Sequence, residues 1–242
     1  MIPLHDDNPT RRRPWITWLI IISCIAAFLW QLSAAQHSQA IIMALGVKPA
    51  HVLHDFMHST WFPTENYFFP AWLTLFTSQF LHGGWLHLIG NMWFLFIFGN
   101  NIEDAMGHGR FIIFYLLCGA LAALTQVWFN PQSLLPMIGA SGAISGVLGA
   151  YLLLYPRSQV LVAIPLGIFI HTTRIAAGLV LMFWFVFQLI NSWLEAWLST
   201  APPNTEGGVA WAAHIGGFVA GMLLIPLFKH RKVRFFNPAR RR

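Results

Sequence analysis

Apolar residues run through this chain in long uninterrupted blocks, not in the short alternations of a soluble strand or amphipathic helix. Asp, Glu, Lys and Arg are absent from residues 14–47, 66–102, 111–156, 158–173, 175–194 and 207–228. About 20 apolar residues make a helix that crosses a roughly 30 Å hydrocarbon layer. The block 111–156 would measure about 69 Å as one helix at about 1.5 Å per residue. It is therefore read as two crossings divided at Asn130–Pro136, where two prolines and several polar residues suit a surface turn. The block 158–173 reaches only about 24 Å and contains Pro165 and Gly167, so it is assigned to the interface. Six transmembrane helices are predicted, near 15–35, 82–99, 111–129, 139–155, 175–197 and 209–228.

Charge then orients the bundle. An even number of crossings puts both termini on one side. On that side fall Arg11, Arg12, Arg13, Arg110, Arg157, Arg174 and the seven basic residues from Lys229 onward, against Lys48 alone on the other. Lys and Arg stay on the inner side of a membrane, so both termini are predicted cytoplasmic; the membrane expected is a bacterial plasma (inner) membrane. Residues 1–14 then form an inner N-terminal segment, and 229–242 a basic inner tail. Residues 15–228 form one multi-pass membrane domain with a long outer loop, 37–80. The first apolar run exceeds the 7–15 residues of a signal-peptide core, so it is read as a retained span.

Composition agrees with this placement. Only 9% of the 242 residues are charged and 57% are hydrophobic, where soluble domains carry about 25% charged residues. The net charge of +6 is concentrated at the two ends and describes no nucleic-acid-binding face. Cys24 and Cys118 lie inside apolar runs and behave as small hydrophobes. His51, His54 and His58 share a helical spacing that fits an amphipathic helix in the outer loop better than a metal site. No metal or cofactor is expected.

Function is sought where polar side chains occur at membrane depth, because they are costly there unless paired or used. Three groups qualify: His87 with Asn91, Ser141 within Gly139-Ala140-Ser141-Gly142, and His214 within Ala213-His214-Ile215-Gly216-Gly217. Each lies in the first part of a helix running from outside to inside, so all three share one layer about 10 Å below the outer surface. Ser141 is either a small residue that lets helices approach or a nucleophile. His214 is either a satisfied cavity histidine or a general base. His87 and Asn91 present two donors on one helix face, either gluing helices together or stabilising a developing oxyanion. Small residues at Gly142, Gly146 and Gly149 on one span and at Ala213, Gly217 and Gly221 on another predict the close approach that a Ser–His contact needs. None of the eight acids falls at the depth of His214, so a two-residue dyad is all the composition permits.

These residues resemble the rhomboid intramembrane serine proteases. The resemblance rests on His82-x4-His87-x3-Asn91, Glu103-x3-Gly107-x2-Arg110-Phe111, Gly139-Ala140-Ser141-Gly142 and Ala213-His214-x2-Gly217-x3-Gly221, in the family's order from about Trp15 to Leu227. It implies an all-α six-transmembrane-helix bundle and a serine endopeptidase that cuts single-pass transmembrane proteins near the outer end of their helix. Ser141 is then the nucleophile and His214 the base, with His87, Asn91 and the Ser141 N–H as oxyanion hole. His82, Gly139, Gly142, Ser145, Gly217 and Gly221 are expected to shape the site. The outer loop is expected to lie partly in the interface, and the fifth span to act as a side gate. Where many relatives read Trp-Arg before the first histidine, this chain reads Trp72-Leu73-Thr74. Some relatives place a tyrosine against the histidine four residues after the nucleophile. Here that position is Ser145, so His214 is expected to be oriented otherwise, by packing or hydrogen bonds, with Ser145 itself one candidate, while Glu103 and Arg110 are expected to order the inner loop. The rivals are a catalytically silent scaffold that binds membrane helices, and a small transporter relaying protons through buried histidines; the latter lacks intramembrane acids and an internal repeat.

Overall fold

The structure, a computed structural model, describes residues 1–58, 70–167, 169–198 and 210–237. The elements in chain order are β1 (Ile2–Asp6), α1 (Trp15–Ser33), α2 (Ser38–Leu45), α3 (Pro49–His58), the single turn α4 (Thr74–Thr77), α5 (Trp85–Met106), α6 (His108–Phe129), α7 (Ser141–Leu154), β2 (Gln159–Leu166), β3 (Phe169–Ala176), α8 (Ala177–Leu198) and α9 (Trp211–Phe228). The parts of the outer loop and of the C-terminal tail at 59–69 and 238–242 lie outside the described residues.

Helices occupy all six stretches predicted from the charge-free blocks. Four of them, α1, α6, α8 and α9, are long and apolar enough to cross a membrane. The segment Ala71–Phe80 and α5 also qualify when taken together, with an 83° bend between them. At 14 residues, α7 covers only about 21 Å, so it cannot span a 30 Å layer by itself. Ser141 is its first residue.

Helix α7 is the centre of the packing. From Ala143 to Tyr151 every residue is buried, and α5, α6, α8 and α9 surround it. Small residues make this possible. A methyl group on Gly217 would overlap the carbonyl of Gly142, one on Gly221 the carbonyl of Gly146, and one on Gly149 the carbonyl of Phe218. The α7 and α9 backbones therefore touch, as the spacing of small residues predicts. Around them Leu95, Phe98, Phe114, Tyr115, Cys118 and Leu148 fill a continuous apolar core.

The block 158–173, assigned to the interface from its sequence, is a β-hairpin. Strands β2 and β3 pair antiparallel from Gln159↔Ala176 to Leu166↔Phe169, with Gly167 at φ 64° opening the turn. Strand β1 adds antiparallel to β2, giving the order β1-β2-β3. Pro3 is tolerated because β1 is an edge strand. Val160 and Val162 are fully buried against the bundle, so the run is apolar because one face of the hairpin packs on the core.

Two acids behave unlike loop residues. Glu103 is fully buried and accepts the amides of Ile16 (2.9 Å) and Thr17 (2.8 Å) and the Thr17 hydroxyl (2.6 Å), so it caps α1 across the fold. Its further contact is His108, while the Arg110 guanidinium donates to the Phe228 carbonyl at 3.3 Å. Asp6, on β1, accepts from the Tyr151 hydroxyl and the Asn101 amide, both at 2.7 Å. Burial raises its carboxyl from the usual 3.8 to about 6, outweighing the Tyr151 hydrogen bond that favours the carboxylate. The folded chain thus binds this proton more tightly than the unfolded chain. The associated stability is fully present below pH about 4 and is lost as pH rises through about 6. Asp6→Asn is expected to flatten the melting temperature between pH 4 and 7, removing a slope worth up to about 3 kcal/mol. An unchanged slope in pH-dependent thermal unfolding would assign that titration to another group.

Candidate active site

Three helix starts converge on one cavity. His87 is the third residue of α5, Ser141 the first of α7 and His214 the fourth of α9. First-turn amides of a helix lack intrahelical partners, and their dipoles make this a region of positive potential. The cavity has a volume of about 720 Å³, and His87, Asn91, Gly139, Ser141, Gln188 and His214 are among its lining.

The backbone contact between α7 and α9 brings the serine and histidine together. Ser141 Oγ lies 2.8 Å from His214 Nε2. That separation permits proton transfer between hydroxyl and imidazole. Both side chains are half-buried. The start of α9 is tied to α6 by the Ala213 amide, which donates to Gln126 Oε1 at 3.2 Å.

On the other side of Ser141 stands a pair of potential donors. The Gly83 amide donates to His87 Nδ1 at 3.3 Å, which leaves His87 Nε2 as the protonated ring nitrogen. His87 approaches Gly139 so closely that a Cβ there would fall 2.7 Å from Nε2 and 3.7 Å from Ser141 Oγ. Gly139 also has φ 126°, so both space and backbone select glycine. Asn91 is buried, and its side-chain amide nitrogen has no partner. An orphaned buried donor facing a cavity is costly unless something comes to accept from it.

His82 does not reach the reacting groups. Its backbone amide and carbonyl exchange hydrogen bonds with the Gln31 side chain, both at 3.1 Å, and its ring packs edge-on against His87 at 5.1 Å between centroids. It buttresses His87. Gly142, Gly217 and Gly221 act through the helix contact described above.

Ser145 does not orient His214. Its side chain is fully buried and donates to the Ser141 carbonyl at 2.6 Å, one turn back along α7. A serine hydroxyl in a helix reaches its own backbone more easily than a neighbouring helix. Gln188 of α8 meets His214 instead, with Oε1 2.8 Å from Nδ1. The Trp184 and Trp211 rings flank the imidazole at 5.9 and 6.1 Å between centroids. Gln188 is uncharged, so a reading of the sequence that seeks a third group among the acids passes over it. Its signal in the sequence is an amide side chain in the apolar block 175–194, which also carries Asn191, on the span that neighbours His214.

Comparison with known proteins finds sequence similarity to a family and to several relatives. The rhomboid domain model fits residues 70–231, about two thirds of the chain. The chain is 30% identical to rhomboid-like protein 11, chloroplastic, from Arabidopsis thaliana over 142 residues, covering 59% of this chain and 42% of the relative. It is 30% identical to rhomboid protease GluP of Bacillus subtilis over 141 residues, covering 58% and 24% respectively. It is 27% identical to rhomboid protein 1, mitochondrial, of Saccharomyces cerevisiae over 161 residues, covering 62% and 40%. The matched region is thus less than half the length of each of these relatives.

Proposed function

Because the chain belongs to the rhomboid family, an integral membrane family that includes serine proteases, we propose that it is an intramembrane serine endopeptidase. Its substrates are single-pass transmembrane proteins, cut near the outer end of their helix. The observation that carries this reading is the 2.8 Å contact between Ser141 Oγ and His214 Nε2 inside a cavity that also holds the unpartnered Asn91 amide.

Ser141 Oγ attacks the scissile carbonyl carbon while His214 Nε2 takes the hydroxyl proton. Negative charge collects on the carbonyl oxygen. His87 Nε2–H, the Asn91 amide and the Ser141 N–H stabilise it from fixed positions, which costs no reorganisation during the reaction. His214 then gives its proton to the leaving amine, the peptide C–N bond breaks, and an ester remains on Ser141. Water, deprotonated by the same imidazole, hydrolyses that ester. A helical substrate hides its carbonyls in hydrogen bonds, so it must unwind locally before the attack.

Both termini lie on the inner, positively charged side of the membrane in this reading, and the cavity opens outward. The membrane proposed is a bacterial plasma membrane. A silent scaffold needs neither a serine hydroxyl on an imidazole nitrogen nor a buried donor left without an acceptor.

Purified protein in detergent is expected to cut a single-pass test substrate at one site toward its outer end, located by mass spectrometry. Asn91→Ala is expected to lower kcat about 10²-fold without abolishing cleavage, since one of three donors is lost. No cleavage by the unaltered protein would contradict the protease reading. Wild-type rates in Asn91→Ala would remove Asn91 from the oxyanion hole.

A further inference from the structure

We propose that Gln188 is the positioning residue of this site, holding His214 in the tautomer that can accept the Ser141 proton, so that a neutral amide fills the place of an acid. The inference rests on reading His214 as the general base. Gln188 is 4% exposed and sits on α8, a different helix from those carrying Ser141 and His214.

The hydrogen bonds fix the direction of the relay. Gln188 Nε2 donates to the Trp184 carbonyl at 3.4 Å, one turn earlier on α8. That places Oε1 toward the imidazole, 2.8 Å from Nδ1. A carbonyl oxygen can only accept, so Nδ1 must carry the hydrogen. Nε2 is then the basic nitrogen, and it is the one 2.8 Å from Ser141 Oγ. The opposite amide orientation would present an N–H to Nδ1 and leave Nε2 protonated, unable to take the serine proton.

The chemistry suits the location. A carboxylate at this depth would bring the solvation cost of a buried charge, which an amide avoids while still offering an acceptor. The amide oxygen also stabilises the imidazolium that forms during attack, though less than a carboxylate would. Trp184 and Gln188, one turn apart, let α8 supply both a ring against the imidazole face and an acceptor for its edge. Ser145, one candidate for this role in the sequence, is occupied with the Ser141 carbonyl.

The test combines a spectroscopic readout with kinetics on the full chain in detergent. In protein labelled with nitrogen-15 at histidine, the His214 signal, identified by its loss in His214→Asn, is expected to report hydrogen on Nδ1. Gln188→Met keeps the length and volume of the side chain but removes the acceptor. It is expected to lose that tautomer preference and to lower kcat about 10–100-fold with KM little changed. Gln188→Glu restores an acceptor and is expected to recover most of the rate. It is also expected to move the acidic limb of the kcat profile to higher pH, because a carboxylate favours the protonated imidazole. His87 on α5 is the other titratable group bearing on His214 among the described residues, and it is common to all three proteins. Hydrogen on Nε2 in the unaltered protein, wild-type kcat in Gln188→Met, or a Gln188→Glu enzyme as slow as Gln188→Met would each overturn the assignment. A correct tautomer in a protein that cuts no substrate would leave Gln188 in place and count instead against the protease reading.

Discussion

Ser141→Ala is expected to abolish cleavage of a single-pass substrate, a loss of roughly 10⁴–10⁶-fold, while the bundle remains folded. The hydroxyl is small and sits at a helix start bordering a cavity, so its removal leaves little void. Its partner, His214 Nε2, loses only one hydrogen bond, on a residue that is half-buried and lines the cavity. Melting temperature should therefore change by a few degrees at most. Ser145→Ala should not share this loss, because the Ser145 hydroxyl is committed to the Ser141 carbonyl and has no access to a substrate. A Ser141→Ala protein that still cuts would move the nucleophile elsewhere.

The second large effect comes from a residue without a side chain. Gly217→Leu is expected to leave no measurable cleavage and to lower the melting temperature by about 5–10 °C. Even a Cβ there overlaps the Gly142 carbonyl and comes within 3.2 Å of Ala122 Cβ. The obstacle is backbone, which cannot rotate aside, so α7 and α9 must separate. Ser141 and His214 ride on those two helices, one residue before Gly142 and three before Gly217. A displacement of about 1 Å in a reacting pair can cost around 10²-fold, and a leucine demands more than that. Gly109→Ala, on a helix face where a Cβ meets nothing, should leave both rate and stability near wild type. Comparable thermal unfolding for the two variants would show that the α7–α9 contact is less tight than described.

Much of this was legible before any coordinates, and the reason is physical. A hydrocarbon layer excludes charge, so the blocks free of Asp, Glu, Lys and Arg, divided at Asn130–Pro136, show roughly where the six helices lie. The same exclusion singles out His87, Asn91, Ser141 and His214, because polar groups at depth stand out against an apolar background. Small residues at fourfold spacing told which two helices touch. The features that escaped are those decided by tertiary contact. Val160, Val162, Ile164, Ile170 and Ile175 are β-branched and favour strands. Yet membrane-scale hydrophobicity, read alone, masks a period of two when both faces of a hairpin are apolar. Asp6 reads as a terminal acid and becomes buried only because β1 folds back on β2, against Asn101 and Tyr151. Gln188 pairs with His214 across two helices, and its pairing depends on the rotation of α8 about its axis. Ser145 stands where some relatives carry a tyrosine, but its hydroxyl finds a nearer acceptor, the Ser141 carbonyl, one turn away.

The contact between the Ser141 hydroxyl and the His214 imidazole is tested most directly by its reactivity toward a fluorophosphonate probe. The folded protein in detergent is expected to form one covalent adduct, mapped by peptide mass spectrometry to Ser141, and His214→Ala is expected to lose it. An adduct on Ser145, or labelling of Ser141 that persists at full rate without the imidazole, would contradict an activated serine at this site.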